Sequence, residues 1–204
     1  MALLAFYSQA PHVLLHDALA EFLGAADEGL IKYSYEDAVR LAGHSCPTVA
    51  GAWLMARAAL HMLYPGAPAE RGDIAVMMHA AEDEGTTGVI AQVFTLLTGA
   101  AADNGFHGIG GRFTRRGLLT YAAGDGSAIA SLRRIDTGAT VDVAMDLSSI
   151  APVPQMRTLM MQAMAPGASV EVRKAFGEAW QDRVRRLLLE HAEDPAVIQV
   201  RWRA

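Results

Sequence analysis

The stretch Val49 to Tyr64 most constrains what this chain can become: it is rich in Ala, Leu and Met, and Arg57 and His61 are its only charged or titrating breaks before Tyr64. A helix that is apolar nearly all round has no face to give to water, so the other elements must be arranged around it. Small residues at Ala50, Gly51 and Ala52 let neighbouring backbones approach its start, and Pro65-Gly66 stop it. The stretch is too short and too interrupted to span a bilayer.

The residues leading into this helix are Ala42-Gly43-His44-Ser45-Cys46-Pro47-Thr48, and they contain the only cysteine of the chain. Pro47 suits the first helical position, where its missing N–H costs nothing, with Ser45 or Cys46 as the cap. The amides from Thr48 to Gly51 then point back towards Cys46. The partial positive charge at such a helix end favours thiolate, the form that attacks a substrate or binds a metal. Two readings of the pair stand side by side. His44 and Cys46 supply an imidazole and a soft sulfur from one turn, or Cys46 is a small buried hydrophobe and His44 a hydrogen-bonded residue at the start of the helix.

With 204 residues, 52% of them apolar, the chain can fill one large core. A single α+β domain over residues 1–204 is expected, with 152–204 as a helical C-terminal extension. The formal net charge of -5 and the scattered basic residues offer no stripe for phosphates, which argues against nucleic acid. One cysteine makes neither an intrachain disulfide nor a four-cysteine zinc site. The opening Met1-Ala-Leu-Leu-Ala-Phe-Tyr lacks a basic leader and a long apolar core, so no signal peptide is read there. A soluble cytoplasmic protein without membrane association is the expectation.

Along the chain, the spacing of Val13, Leu14, Leu19, Phe22 and Leu23 predicts a helix over Pro11 to Leu23, ended by Gly24. That helix would stack His12 and His16, four residues apart, on one face. A short helix over Tyr35 to Leu41, capped by Ser34, delivers the chain to Gly43. Ile74 to His79 reads as a strand buried on both faces. Behind it lies an acidic loop, Glu82-Asp83-Glu84, that can offer hard ligands or sit in solvent. Val89 to Ala102 is helical in period. The glycine-rich run Asn104 to Phe113 matches neither the dinucleotide fingerprint nor a P-loop.

Gly117 to Ala122, Ala128 to Ile135 and Ala139 to Met145 read as three strands of an antiparallel meander, divided by Gly124-Asp125-Gly126 and Asp136-Thr137-Gly138. Gln155 to Met164 and Ser169 to His191 are helices, the second carrying Phe176, Trp180, Val184, Leu187 and Leu188 on one stripe. Val197 to Trp202 reads as a last strand. The fold class is therefore α+β, a mixed or antiparallel sheet packed with helices around a buried central helix that follows the His-x-Cys-Pro motif.

Gly43-His44-Ser45-Cys46-Pro47-Thr48-Val49-Ala50-Gly51, followed by Ala56-Arg57-Ala58-Ala59-Leu60 and by Leu97-Thr98-Gly99, resembles the core domain of the FmdE family of formylmethanofuran dehydrogenase proteins. The usual motif of that family reads His-Gly-His-x-Cys-Pro-Gly, with a later Thr-Gly-Cys-Thr, and the resemblance runs from about Tyr35 to Tyr121. It implies an α+β core, a homodimer, and a metal cleft built partly on His44 and Cys46. Three positions differ: Ala42 stands for the first motif histidine, Thr48 for the last glycine, and Ala100 for the later cysteine. The C-terminal cysteine-rich zinc finger of some members has no counterpart after Cys46.

The expected site is a transition-metal centre anchored by His44 and Cys46, most readily zinc, with nickel or copper compatible with the same donors. His16 is the candidate third ligand, with His12, His79, Asp83 and His107 behind it, and a small-molecule ligand would sit in the metal cleft. The alternatives are a nucleophilic enzyme in which Cys46 is catalytic, and a haem sensor using Cys46-Pro47. The apolar content and the amphipathic helix from Ser169 predict a two-fold homodimer.

Overall fold

The structure is a computed structural model that describes residues 3–124 and 126–203. Helix α3 (Pro47–Leu63) forms its axis, with twelve of its 17 residues buried, among them Trp53, Leu54 and Met55. Neighbours close on it from several directions: α2 (Tyr35–Ala42), α4 (Thr87–Thr98) and α6 (Val170–Glu190) pack against it, as do strands β7 (Thr140–Met145) and β8 (Ile198–Trp202). Gly51 lies where β7 ends, and a Cβ there would occupy the space of the Met145 thioether. The expected central helix and the α+β class are both present.

Two sheets flank the helices. The five-stranded sheet runs β5 (Leu119–Tyr121), β4 (Ile74–Met78), β6 (Ala130–Arg134), β7, β8. The pair β4 and β5 is parallel, and the remaining pairs are antiparallel. The smaller sheet places β1 (Val13–His16) between β2 (Leu30–Tyr33), antiparallel to it, and β3 (Ala69–Glu70), parallel to it. Helix α6 packs against α3, and β8 closes one edge of the large sheet. Helix α5 (Met156–Met164) lies on α6 and buries none of its residues fully.

Two expectations are corrected. The helix read over Pro11 to Leu23 is a strand followed by α1 (Ala18–Phe22), a five-residue helix. Val13 and Leu15 point inward and Leu14 outward, a period of two that the short apolar run concealed. His12 and His16 therefore do not share a helix face. The meander over β5, β6 and β7 is real only for β6 and β7. Strand β5 instead pairs with β4, after a crossover through α4 and the glycine-rich loop. Backbone bonds from Ala122 N–H to Met78 O and from Gly124 N–H to His79 O keep the chain beside β4 past the end of β5. Asp125, part of the break expected there, lies outside the described residues.

What stops β1 is Asp17, only 3% exposed, whose Oδ1 caps α1 by accepting from Leu19 N–H at 2.9 Å and Ala20 N–H at 3.2 Å. Arg71 Nη1 donates to its Oδ2 at 2.8 Å, and Arg115 Nη2 to its Oδ1 at 2.8 Å. Arg115 is itself buried and pairs through its backbone with Ala101 and Phe106. One carboxylate thus ties the first sheet, the turn after β3 and the glycine-rich loop together. Burial pushes the Asp17 carboxyl up, but the Arg71 hydrogen bond and the Arg115 charge outweigh it and hold the group below its ordinary value.

A folded-state value below the unfolded one means that Asp17 stabilises the fold above the ordinary carboxylate range and loses that contribution as pH falls through the lowered value. Asp17→Asn strands two guanidinium groups, one of them deeply buried, and should destabilise by about 3–5 kcal/mol. Urea denaturation at neutral pH measures that loss. The wild type should also lose stability more steeply than the variant on acidification from about pH 5 to pH 3.

The His-x-Cys-Pro turn as a candidate metal centre

Helix α2 opens with a capping box. Ser34 N–H donates to Asp37 Oδ2 at 2.8 Å, and the Ser34 hydroxyl donates to the same oxygen at 2.9 Å. It ends at Gly43, whose φ of 72° places it in the left-handed region that closes helices, with its N–H on Val39 O. His44 and Ser45 turn the chain, and Cys46, extended at φ -149° and ψ 168°, caps α3 ahead of Pro47. The expected capping position and the expected proline position are the observed ones.

The turn is clamped from two sides. Ser45 is buried, and its hydroxyl lies 2.7 Å from the Tyr35 hydroxyl at the start of α2. Its carbonyl accepts from Trp180 Nε1 at 3.2 Å and from Gln181 Nε2 at 3.0 Å, both on α6. Gln181 Oε1 in turn accepts from the Tyr7 hydroxyl at 3.0 Å. Burial pushes the Tyr35 phenol well above its ordinary value, against the Ser45 hydrogen bond, so it stays protonated across the working pH range. Tyr7, Tyr35 and Trp53 stack edge to face behind it, with ring centroids 5.3 Å and 6.2 Å apart in succession.

On this rigid turn His44 is exposed, and its Nδ1 sits 3.0 Å from Ala42 O. A carbonyl only accepts, so Nδ1 carries the proton and the neutral ring keeps its Nε2 lone pair free. A backbone carbonyl that fixes the tautomer is the usual outer support of a metal-bound histidine. Cys46 is a free, half-buried thiol whose Sγ accepts from Val49 N–H at 3.5 Å. Two donors alone do not close a metal cage. Among the described residues, no group of three or more His, Cys, Asp and Glu is gathered as a metal ion would require.

The remaining candidates are dispersed. His16, at the end of β1, has Nδ1 2.7 Å from Glu70 Oε2 and Nε2 3.3 Å from Glu21 Oε2. Both carboxylates accept, the Glu70 bond raises the His16 pKa most, and both ring nitrogens are already engaged. His79 follows β4, where its Nε2 lies 2.7 Å from Ser131 Oγ, and Ser131 donates to Asp142 at 2.6 Å. Asp83 and His107 are exposed on separate loops, and Ala100 is buried at the end of α4. The clamp formed by Tyr35, Ser45, Trp180 and Gln181 has no local signature in the sequence. Its partners are up to 136 residues apart, and the Trp180 stripe reads as ordinary packing.

No family model matches the chain, and no curated protein matches it. Among solved structures, it is similar to a tungsten formylmethanofuran dehydrogenase FmdE-like protein from Syntrophus aciditrophicus. The two share 18% identity over 84% of this chain and 72% of that one, with a TM-score of 0.44.

Two expectations follow from the geometry. Because its folded value is raised, the His16 pairing stabilises below the ordinary histidine range and is lost as pH rises through the raised value. The His16 ring signal in an NMR titration should therefore move at higher pH than in Glu70→Gln. Cys46→Ser replaces a weak thiol acceptor at the helix cap by a hydroxyl, and should raise stability by about 0.5–1 kcal/mol in urea denaturation. A loss of stability would show that the thiol has packing that a hydroxyl cannot replace.

Proposed function

We propose that this chain binds a transition-metal ion, zinc in the first instance, through His44 Nε2 and Cys46 Sγ. The observation that carries the reading is the His44 Nδ1 bond to Ala42 O, which leaves the outer nitrogen free two residues from the only thiol. A closed site needs more donors than this turn supplies, so the remaining positions belong to a second copy of the chain or to a small-molecule ligand in the cleft. His16 would have to release both of its carboxylates to join them. The motif residues His44, Cys46 and Pro47 are those of the FmdE pattern, and a divergent relative of that family, acting as a metal-dependent or accessory protein, is the role that fits them.

Protein purified without an affinity tag should carry stoichiometric metal, lost in both Cys46→Ala and His44→Ala. Substitution with cobalt should give a thiolate charge-transfer band that the Cys46 variant lacks. Equal metal in Cys46→Ala and wild type defeats the proposal. A metal-free wild type whose Cys46 alkylates rapidly would point to a nucleophilic thiol instead.

We infer that the functional unit is a two-fold homodimer. Met161, Met164 and Val170 are 63%, 77% and 67% exposed on α5 and the start of α6, more apolar surface than a short helical hairpin ordinarily shows to water. Sedimentation equilibrium from micromolar to nanomolar concentration should show a dimer mass at the upper end. A folded monomer across the whole range overturns this.

A further inference from the structure

At the opposite end of α3 from the motif, a cavity of about 650 Å³ opens between the helix end and the small sheet. Leu60, His61 and Tyr64 form one wall, and the turn through Pro68 forms the floor. Val13 and Leu14 of β1, with Lys32 of β2 and His12 just before β1, form the other wall. Leu14 and Lys32 are direct partners across the antiparallel pair, so they lie on the same face of the sheet. A cavity of this size, largely apolar with a few convergent polar groups, has the character of a small-molecule site.

The lining is unbalanced in charge. Lys32 brings an ammonium group and His12 and His61 bring ring N–H donors, while among the described residues no aspartate or glutamate lines the cavity. Burial, and next the Arg57 guanidinium, hold His61 below its ordinary value, so at neutral pH it is an uncharged donor and acceptor. Leu14 is 49% exposed in this face, although it sits mid-strand between buried Val13 and Leu15. An exposed leucine beside a lysine and two histidines offers an apolar contact next to an anion contact. A molecule satisfying both has a carboxylate at one end and an apolar body at the other.

We propose that this cavity is a binding site for a small apolar carboxylate, with Lys32 pairing its charge, His12 and His61 donating to its oxygens, and Leu14, Leu60 and Pro68 packing on its body. The site is separate from the motif turn. A helix of 17 residues is about 25 Å long, so binding here does not depend on the metal reading.

The test is an NMR titration of the full chain with 2-naphthoate, reading the ring signals of the histidines, assigned with His12→Gln and His61→Gln. His12 and His61 should shift together and saturate below about 10 mM, while the exposed His44 and His107 stay in place. Lys32→Met keeps an apolar stem and removes the charge, and should weaken binding about tenfold or more. The neutral analogue 2-naphthalenemethanol should bind correspondingly worse than the acid. Absence of saturable shifts at His12 and His61 overturns the proposal. So does equal binding of acid and alcohol, or equal binding by wild type and a Lys32→Met variant whose spectrum shows it folded.

Discussion

Burial of α3 along most of its length is the constraint from which the rest of the architecture follows. A helix with Trp53, Leu54 and Met55 all out of water over one turn cannot be served by a single sheet face. The chain answers with helices α2, α4 and α6 and with strands β7 and β8. Of these, α6 and β8 come from the final quarter of the sequence. The C-terminal helix and strand are therefore needed to close the core, and the packing of Val184, Leu187, Leu188, Val197 and Ile198 into it shows the same thing from the other side. Close approach depends on small residues where strands arrive, as Gly51 makes room for Met145.

Holding such a helix also fixes its ends. At the N-terminus, Cys46 and Pro47 satisfy the first turn, and the Ser45 carbonyl is gripped by two side chains of α6. The turn therefore owes its shape to residues at both ends of the sequence: Tyr7 orients Gln181, and Gln181 holds Ser45. A turn clamped in this way has little backbone freedom left to lose. The Asp17 cluster plays the corresponding part for the small sheet, where one buried carboxylate answers two guanidinium groups and two helix amides.

Much of this is legible in the residues. The long helix, its proline and its cap follow from rules of the helix N-terminus that hold whatever surrounds them, as do Ser34 before α2 and Ser169 before α6. The hairpin of β6 and β7 is carried by Asp136-Thr137-Gly138, a local turn signal. The features that escape a reading of the sequence are decided by distant partners. Val13 to Leu15 is too short an apolar run to tell strand from helix, and its strand character comes from pairing with β2 and β3. Strand β5 lies beside β4 rather than β6 because of a crossover that no local signal marks. Of the site, His44 and Cys46 share one turn as their spacing demands. His16 belongs to a sheet edge, where two glutamates take both of its nitrogens.

The two ends of α3 differ in chemistry for a reason that lies in the helix itself. Its N-terminal turn presents free amides, and there the chain has placed a sulfur that accepts from one of them, the Val49 N–H, with an imidazole two residues before it. Its C-terminal turn presents free carbonyls. Tyr64 caps it with ψ 67°, its ring lies under the Arg134 guanidinium at 4.0 Å, and that guanidinium also donates to Leu63 O at 3.0 Å. A cation placed there answers the helix carbonyls, as cations do at helix C-termini. With Arg134 already engaged by the helix end and by Asp136, the groups left to face the neighbouring cavity are the Lys32 ammonium and the ring nitrogens of the two histidines. Among the described residues no acid of the cavity wall competes for them. The helix end is thus electrically closed by its own partner, which leaves the Lys32 ammonium as the charged group of the cavity wall.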